Sequence, residues 1–301
     1  MNRKRVAVPV LTVWTDPDSV RDVDLPAVGR DADIAGWLAG MSREENIALC
    51  REKRVQTQVL FGDEVIVDEI RGDWAKIVVP LQASSRDSRG YPGWAPTVQL
   101  VSGASPFRNR EQVMVQSKIA PFFSEKNEHL LDLSFVTTLS ILEEEKDRVK
   151  VDSPIGPGYL LRKDIIFCDR QQPSDGQEIV KNARRFMDLP YLWAGMSAYG
   201  YDCSGFSYSM LRACGFLIPR DADDQSENGE EIDLQEKLPG DLLYFAYEEG
   251  KGYVHHVGIY AGDGKMIHSP TPGEKVSLTA LAGTKFEKEL CTVRRYWRKA
   301  E

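Results

Sequence analysis

Tyr201-Asp202-Cys203-Ser204-Gly205-Phe206 sets a cysteine directly behind an acidic residue, and the segment reads as the start of a helix that runs to Ala213 and ends at Cys214-Gly215. Downstream lie His255-His256-Val257-Gly258-Ile259-Tyr260 and then His268, inside apolar runs that read as strands over 254–261 and 265–268. Further strands are expected over 241–246 and 291–297. Upstream, 176–189 reads as a helix with Ile179, Ala183 and Phe186 on one side, Asp175 as its cap and Pro190 closing it. One helical layer over an antiparallel sheet is an α+β arrangement.

A thiol is a poor nucleophile until it loses its proton, so it needs a neighbouring base, and the base needs a third group to hold it. If Cys203 opens a helix, unpaired backbone N–H groups and the positive end of the helix dipole favour thiolate and lower the thiol pKa; a lowering of about 2 would ionise most of the population near neutral pH. The same N–H groups can stabilise an oxyanion. Strand parity separates the two candidate bases, because neighbouring side chains point to opposite faces. A two-residue Asp263-Gly264 turn would pair Ile259 with His268 and put His255 on the face of His268. A three-residue Gly262-Asp263-Gly264 loop, with Gly264 as the left-handed bulge residue, would pair Gly258 with His268 and bring His256 there.

The order Cys203, His256, His268 and the residues around them resemble the NlpC/P60 family of cysteine peptidases, which cut peptidoglycan stem peptides beside γ-linked D-glutamate. The resemblance spans residues 171–301 and implies a papain-like catalytic domain, helices packed on an antiparallel sheet. It assigns the base to the histidine of His256-Val257-Gly258-Ile259-Tyr260, hence the bulged loop, and the orienting role to His268. His255 is then a partly exposed or supporting residue. Zinc held by Cys203, His256 and His268 is the rival chemistry, since three ligands plus water make a catalytic set, but no familiar zinc spacing is present. The expectation is therefore no metal and no cofactor.

Ahead of this domain two segments share a layout. Gly62 to Val67, the turn Arg71-Gly72-Asp73, Trp74 to Val79 and Gly90 to Trp94 are echoed by Thr137 to Leu142, Arg148 to Val151 and Gly156 to Leu160. Alternating β-branched runs between turn residues mark small all-β units, and the pattern resembles bacterial SH3-like (SH3b) domains. Opening strands are expected over 6–14 and 112–119. Between them, Ile34, Trp37, Leu38, Met41 and Ile47 recur at helical spacing, which predicts an inserted helical segment over 31–53. Polar and turn residues over 169–176 read as a linker. The expected organisation is an SH3-like barrel over 1–103, a second over 104–170 and the peptidase domain over 171–301.

Within the family, paired SH3b units followed by Tyr191-Leu192-Trp193-Ala194-Gly195 and Pro219-Arg220-Asp221-Ala222 resemble the YkfC-type dipeptidyl peptidases. The resemblance implies a murein tripeptide or tetrapeptide substrate, cut after L-Ala-γ-D-Glu when the alanine amine is free. A buried ammonium needs carboxylate or hydroxyl oxygens to replace its water. By resemblance Tyr91 and one acid of Asp63-Glu64 take that role, Asp202, Ser204, Asp221 and Ala222 hold the dipeptide, and Tyr191 lies beside the oxyanion site. The family often has Ser where Ala222 stands, so a hydroxyl contact there is absent in this chain. The alternatives are a general peptidoglycan endopeptidase or amidase, and an inactive SH3b wall-binding module.

Composition narrows the partners. Of 301 residues, 38 are Lys or Arg and 46 Asp or Glu, a net charge of −8 that disfavours nucleic acid and anionic membranes. The five cysteines are odd in number and widely spaced, and read as free thiols suited to a reducing compartment. The basic start, Asn2 to Arg5, followed by Val6 to Trp14, imitates a signal peptide, but Pro9 interrupts the run and no small-residue cleavage site follows. A cytoplasmic monomer is the expectation.

Overall fold

The computed structural model describes residues 2–103, 107, 110–170 and 174–297. Of the expected linker over 169–176, residues 171–173 lie outside the described residues. The chain divides into two compact units: Met1–Leu81, Arg89–Gln171 and Ser197–Tyr199 in the first, Gln82–Ser88, Gln172–Met196 and Gly200–Glu301 in the second.

The first unit begins with β1 (Asn2–Val6) and β2 (Val10–Trp14), two strands where one is expected over 6–14. Pro9, which has no N–H to give a ladder, divides them, and its carbonyl accepts from the Phe61 N–H at 3.2 Å. A short α1 (Leu25–Val28) precedes the expected insert, and the insert over 31–53 is helical, as α2 (Ile34–Gly40) and α3 (Arg43–Arg51). The single amphipathic run breaks at Ser42 because Ser42 and Glu45 form a capping box, Glu45 N to Ser42 Oγ at 3.2 Å and Ser42 N to Glu45 Oε2 at 2.7 Å. Trp37 is buried and its indole N–H donates to Asp24 at 2.9 Å.

Next come β3 (Val55–Leu60), β4 (Glu64–Arg71), β5 (Trp74–Val79), β6 (Tyr91–Pro96) and β7 (Leu100–Ser102). They join β1 and β2 in one sheet of order β3-β2-β6-β5-β4-β1-β7. Strands β8 (Gln112–Val115), β9 (Ile119–Ser124), β10 (His129–Ser134), β11 (Thr138–Glu144), β12 (Arg148–Val151), β13 (Gly158–Leu161) and β14 (Ile165–Phe167) make a second sheet, order β10-β9-β13-β12-β11-β8-β14. Shifting the first order by seven strands gives the second, so the repeat seen in sequence is a repeat of topology. Neither sheet is a closed barrel, which corrects the expected SH3-like barrels. The outermost strands β7 and β14 have three residues each, too few backbone groups to zip a seam, and each sheet ends in open edges. Each has its own core, Val6, Leu11, Val65, Ile77 and Tyr91 in one, Val113, Phe122, Leu133 and Leu160 in the other.

The second unit is mixed helix and sheet. Asp175 caps α4 (Gly176–Arg184) by accepting from Gln177 and Glu178. The helix ends five residues before the expected 189 because Arg185, Phe186 and Leu189 donate three residues back, and Asp188 turns left-handed at φ 67°. Then follow β15 (Met196–Ser197), of which Ser197 is counted with the first unit, β16 (Gly200–Tyr201), α5 (Cys203–Arg212), α6 (Ala222–Ser226), β17 (Glu230–Ile232) and β18 (Leu242–Ala246). The chain continues through α7 (Tyr247–Gly250), β19 (Val254–Gly262), β20 (Lys265–His268), β21 (Ser277–Ala280), α8 (Lys285–Glu289) and β22 (Leu290–Arg295). An antiparallel sheet runs β17-β22-β18-β19-β20-β21, and α5 packs against β19. Among the described residues no helix is long and apolar enough to cross a membrane.

Candidate active site

Cys203 is the first residue of α5. Asp202 precedes it in extended conformation, and its Oδ1 accepts from the Gly205 N–H at 2.6 Å, so the helix starts where a short polar acceptor can satisfy an unpaired N–H. The carboxylate is buried and needs a counter-charge, which Arg220 supplies: Nη2 to Asp202 Oδ2 at 2.8 Å and Nη1 to Oδ1 at 3.3 Å. The guanidinium is 1% exposed and also donates to Ser204 Oγ at 2.9 Å. Gln225 Nε2 donates to the carbonyls of Pro219 (2.8 Å) and Ser204 (3.2 Å), tying the loop before α6 to the start of α5. Gly205 is required by close packing: a Cβ there would overlap the Gly195 carbonyl oxygen and lie 2.8 Å from Met196 Sδ.

The β19–β20 hairpin sets the histidines. Ile259 pairs with Ile267 and Tyr260 with Met266, after which Gly262 pairs with Lys265, leaving Ala261 as an extra residue. The loop itself is two residues, Asp263 and Gly264, both left-handed at φ 51° and 67°. The register is thus the one expected for the bulged hairpin, but the extra residue sits in β19 and not in the loop. It places His256 and His268 on one face, with Nε2 of His256 2.7 Å from Nδ1 of His268. His268 Nε2 lies 3.0 Å from Thr279 Oγ1 on β21. Gly258 faces His268 between them; a Cβ at 258 would stand 2.5 Å from Met266 Sδ and 3.3 Å from His268 Cβ. His255 turns to the opposite face, stacked on Tyr247 at 4.0 Å and 3.4 Å from Glu289 Oε2.

The sulfur of Cys203 rests against the backbone N–H of Val257, the residue after His256. Burial, and then the Asp202 carboxylate, push the thiol up to about 12, against the pull of the Val257 N–H, Arg220 and the Ser204 N–H. This corrects the expected lowering: desolvation outweighs the helix terminus, and Cys203 rests as a thiol. His256 is 4% exposed and packs against the rings of Phe245 and Phe286, which also touch each other. Burial, followed by the neighbouring His268, His255 and Lys285, holds it well below the ordinary histidine range. Burial and then Lys285 lower His268 to about 4. Near neutral pH both rings are uncharged, so His256 has a lone pair to accept a proton.

The NlpC/P60 family model matches residues 188–295 and that of the YKFC SH3b2 domain residues 115–166. The chain is 42% identical over 286 residues to the gamma-D-glutamyl-L-lysine dipeptidyl-peptidase of Bacillus subtilis (strain 168), covering 95% of this chain and 96% of that one. This chain belongs to the NlpC/P60 family. A protein of the same name from Bacillus cereus is 37% identical over 300 residues, covering 97% of this chain and 90% of the relative. The crystal structure of an NlpC/P60 family protein from Bacillus cereus ATCC 10987 superposes with a TM-score of 0.93 at 35% identity, covering 98% of this chain and 100% of that one.

Within the NlpC/P60 unit the structure gathers Asp202, Cys203 and Ser204 at one helix start, with His256 and His268 on the sheet beneath. Tyr191 is buried and bridges to Tyr201, two residues before Cys203. Asp221 precedes α6 without capping it; its carboxylate faces Arg86 at 3.3 Å and Arg220 at 3.9 Å. Ala222 is the first residue of that helix. Asp63, Glu64 and Tyr91 belong to the first unit. There Glu64 is paired with Arg3 at 3.0 Å, Asp63 is 7% exposed in the turn before β4, and Tyr91 is buried in the first sheet's core.

Sequence reasoning passed over three contributors to this NlpC/P60 site. Arg220 stood inside a quoted motif, yet nothing in a one-dimensional reading pairs it with Asp202, eighteen residues away. Thr279 sits on β21, a strand too short to announce itself. Residues 82–88 pack with the second unit through Arg220 N to Ala83 O and Ser85 N to Asp224 Oδ2, each 2.9 Å.

Proposed function

We propose that this protein is a cysteine peptidase that hydrolyses the γ-D-Glu to L-diamino acid bond of murein stem peptides, releasing L-Ala-γ-D-Glu from peptides whose L-Ala amine is free. The reading is carried by the neutral His256, tethered through Nε2 to His268, and by the Cys203 sulfur at the start of α5 resting against the N–H of Val257, the residue after His256. The names of the two Bacillus relatives agree with it in reaction and substrate.

In this reading Cys203 is the nucleophile, His256 the base and His268 the orienting residue. His256 takes the thiol proton through Nδ1 as the sulfur attacks the γ-carbonyl, because the raised thiol pKa requires transfer during attack. Backbone N–H groups at the start of α5 receive the oxyanion, beside Tyr191. The diamino acid amine leaves with the proton from His256, and water, deprotonated by the same ring, hydrolyses the thioester. Asp202, Ser204, Asp221 and Ala222 hold the dipeptide, Ala222 through its backbone. Tyr91 and one acid of Asp63-Glu64 take the ammonium.

We further read the first sheet as an SH3b-type unit like the second, on their shared strand order, with domains over 1–103, 104–170 and 171–301. A free-amine requirement fits peptide recycling in the cytoplasm by a monomer. The decisive test is incubation with L-Ala-γ-D-Glu-L-Lys and its N-acetyl form, with products read by mass spectrometry. Release of L-Ala-γ-D-Glu from the free peptide alone is expected, with N-acetylation, which removes the charge and adds bulk, costing on the order of a hundredfold in kcat/KM. Equal cleavage of both would replace this reading with a general wall endopeptidase.

A further inference from the structure

His268 has two ring nitrogens and two protein partners. Nδ1 meets His256 Nε2 at 2.7 Å and Nε2 meets Thr279 Oγ1 at 3.0 Å, and Thr279 Oγ1 in turn lies 3.3 Å from Ser277 Oγ. His268 is 2% exposed, and β21 brings Thr279 alongside by pairing His268 with Ser277 and Met266 with Thr279.

A neutral imidazole carries one N–H and one lone pair. The chain His256, His268, Thr279 therefore has two self-consistent proton arrangements. In the first, His256 Nε2–H donates to His268 Nδ1, His268 Nε2–H donates to the Thr279 hydroxyl, and Thr279 donates to Ser277. Nδ1 of His256 is then bare and can accept the Cys203 proton. In the second every bond is reversed, His256 carries its proton on Nδ1, and the ring cannot act as a base toward Cys203. Only the first is productive, and the hydroxyl at 279 is the acceptor that makes it possible.

We infer that Thr279 is a positioning residue that sets the reactive tautomer of His256 through His268. The inference rests on the proposed roles of Cys203 and His256. Both rings are neutral near pH 7 because they are buried, so the tautomer, and not the charge, decides whether the base is available. If the hydroxyl is replaced by a methyl, the Nε2–H of His268 is orphaned. Moving that proton to Nδ1 leaves a bare acceptor instead, a less costly orphan, and reverses the chain.

The test uses the full chain with 15N-labelled histidine, as wild type and as Thr279→Val, Thr279→Ala and Thr279→Ser. Imidazole 15N shifts report which nitrogen of each ring is protonated, and kcat and KM are measured on L-Ala-γ-D-Glu-L-Lys. Wild type should carry its protons on Nε2 of both His256 and His268. Thr279→Val should move the His256 proton to Nδ1 and lower kcat by about tenfold or more with KM little changed. Thr279→Ser should stay within about threefold of wild type, and Thr279→Ala should fall between as water enters the space. A wild-type His268 protonated on Nδ1 would overturn the inference whether or not any variant folds. So would Thr279→Val with unchanged tautomers, even if kcat fell. If wild type turned over no murein peptide, the proposed function would fall, while the 15N shifts would still decide the role of Thr279.

Discussion

Arg220 and Asp202 form a buried ion pair, Nη2 to Oδ2 at 2.8 Å, at the foot of the helix that begins with Cys203. The carboxylate serves two groups at once, capping α5 through Gly205 and neutralising the guanidinium, while the guanidinium also holds Ser204. The start of the helix is thereby fixed from below by charge and not by packing alone. Arg220 also lies near enough to oppose the rise in the Cys203 pKa.

Removing that cation should be expensive. Arg220→Met leaves the Asp202 carboxylate buried with one hydrogen-bonded N–H and no counter-charge, for an expected loss of roughly 3–5 kcal/mol in urea unfolding. Arg220→Lys keeps the charge but loses the forked geometry, and should cost less while still lowering kcat. Alkylation of Cys203 by iodoacetamide at fixed pH should be slower in Arg220→Met than in wild type. Equal stability and equal alkylation would show that the pair is dispensable.

The three proposed chemical roles differ in severity. Cys203→Ala should remove all turnover while leaving the fold intact, and His256→Ala should lose on the order of a thousandfold in kcat or more. His268→Ala should retain measurable activity, because it orients the base and transfers no proton to substrate. An inactive His255→Ala with an active His256→Ala would reverse the assignment of the base.

The thiol and the histidines give opposite pH signatures. With the Cys203 thiol up to about 12, the thiolate is a minority species at pH 8, so alkylation should rise about tenfold per pH unit with no plateau between pH 7 and 10. His268 is lowered from 6.5 to about 4 and His256 lies well below 6.5. As pH falls below 6.5 the unfolded chain takes up protons on these rings and the folded protein does not, so stability should decline from pH 6.5 to 4. A urea-midpoint series against pH measures it, and His268→Asn should flatten the slope.

Gly258 leaves the room that His268 and Met266 occupy. Gly258→Ala puts a methyl 2.5 Å from Met266 Sδ and 3.3 Å from His268 Cβ, so it should cost about 1–3 kcal/mol and lower kcat as His268 shifts. Adding Met266→Ala should recover part of the loss in kcat, since the nearest obstacle is the end of a flexible side chain. No recovery would place the defect in the backbone instead.

Much of this architecture was legible in one dimension. The helix opened by Cys203, the strands carrying His256 and His268, and the capped helix at Asp175 all announce themselves by local rules: a short polar cap, turn glycines, and period-two runs of β-branched residues. The repeat of the two sheets was visible for the same reason, since strand order follows from the same succession of runs and turns. Local signals failed where two propensities competed. The capping box at Ser42 split one apolar periodicity into two helices, and Pro9 divided one run into two strands.

What the sequence determined by itself was the family, the nucleophile and histidine candidates, and the two hairpin registers that strand parity allowed, between which the resemblance chose the one putting His256 on the face of His268. What the tertiary structure alone decided were quantities that depend on contacts between distant residues. The extra residue fell at Ala261 in β19, and not in the loop, because Asp263 and Gly264 close a two-residue turn. The Cys203 thiol is pushed up and not down, because desolvation of this half-buried group and then the Asp202 carboxylate outweigh one helix terminus, and no sequence window reports the surroundings that folding brings to a residue. Arg220 and Thr279 entered the site for the same reason: ion pairs and hydrogen bonds act over about 3 Å in space, and the chain brings those partners together only after it has folded.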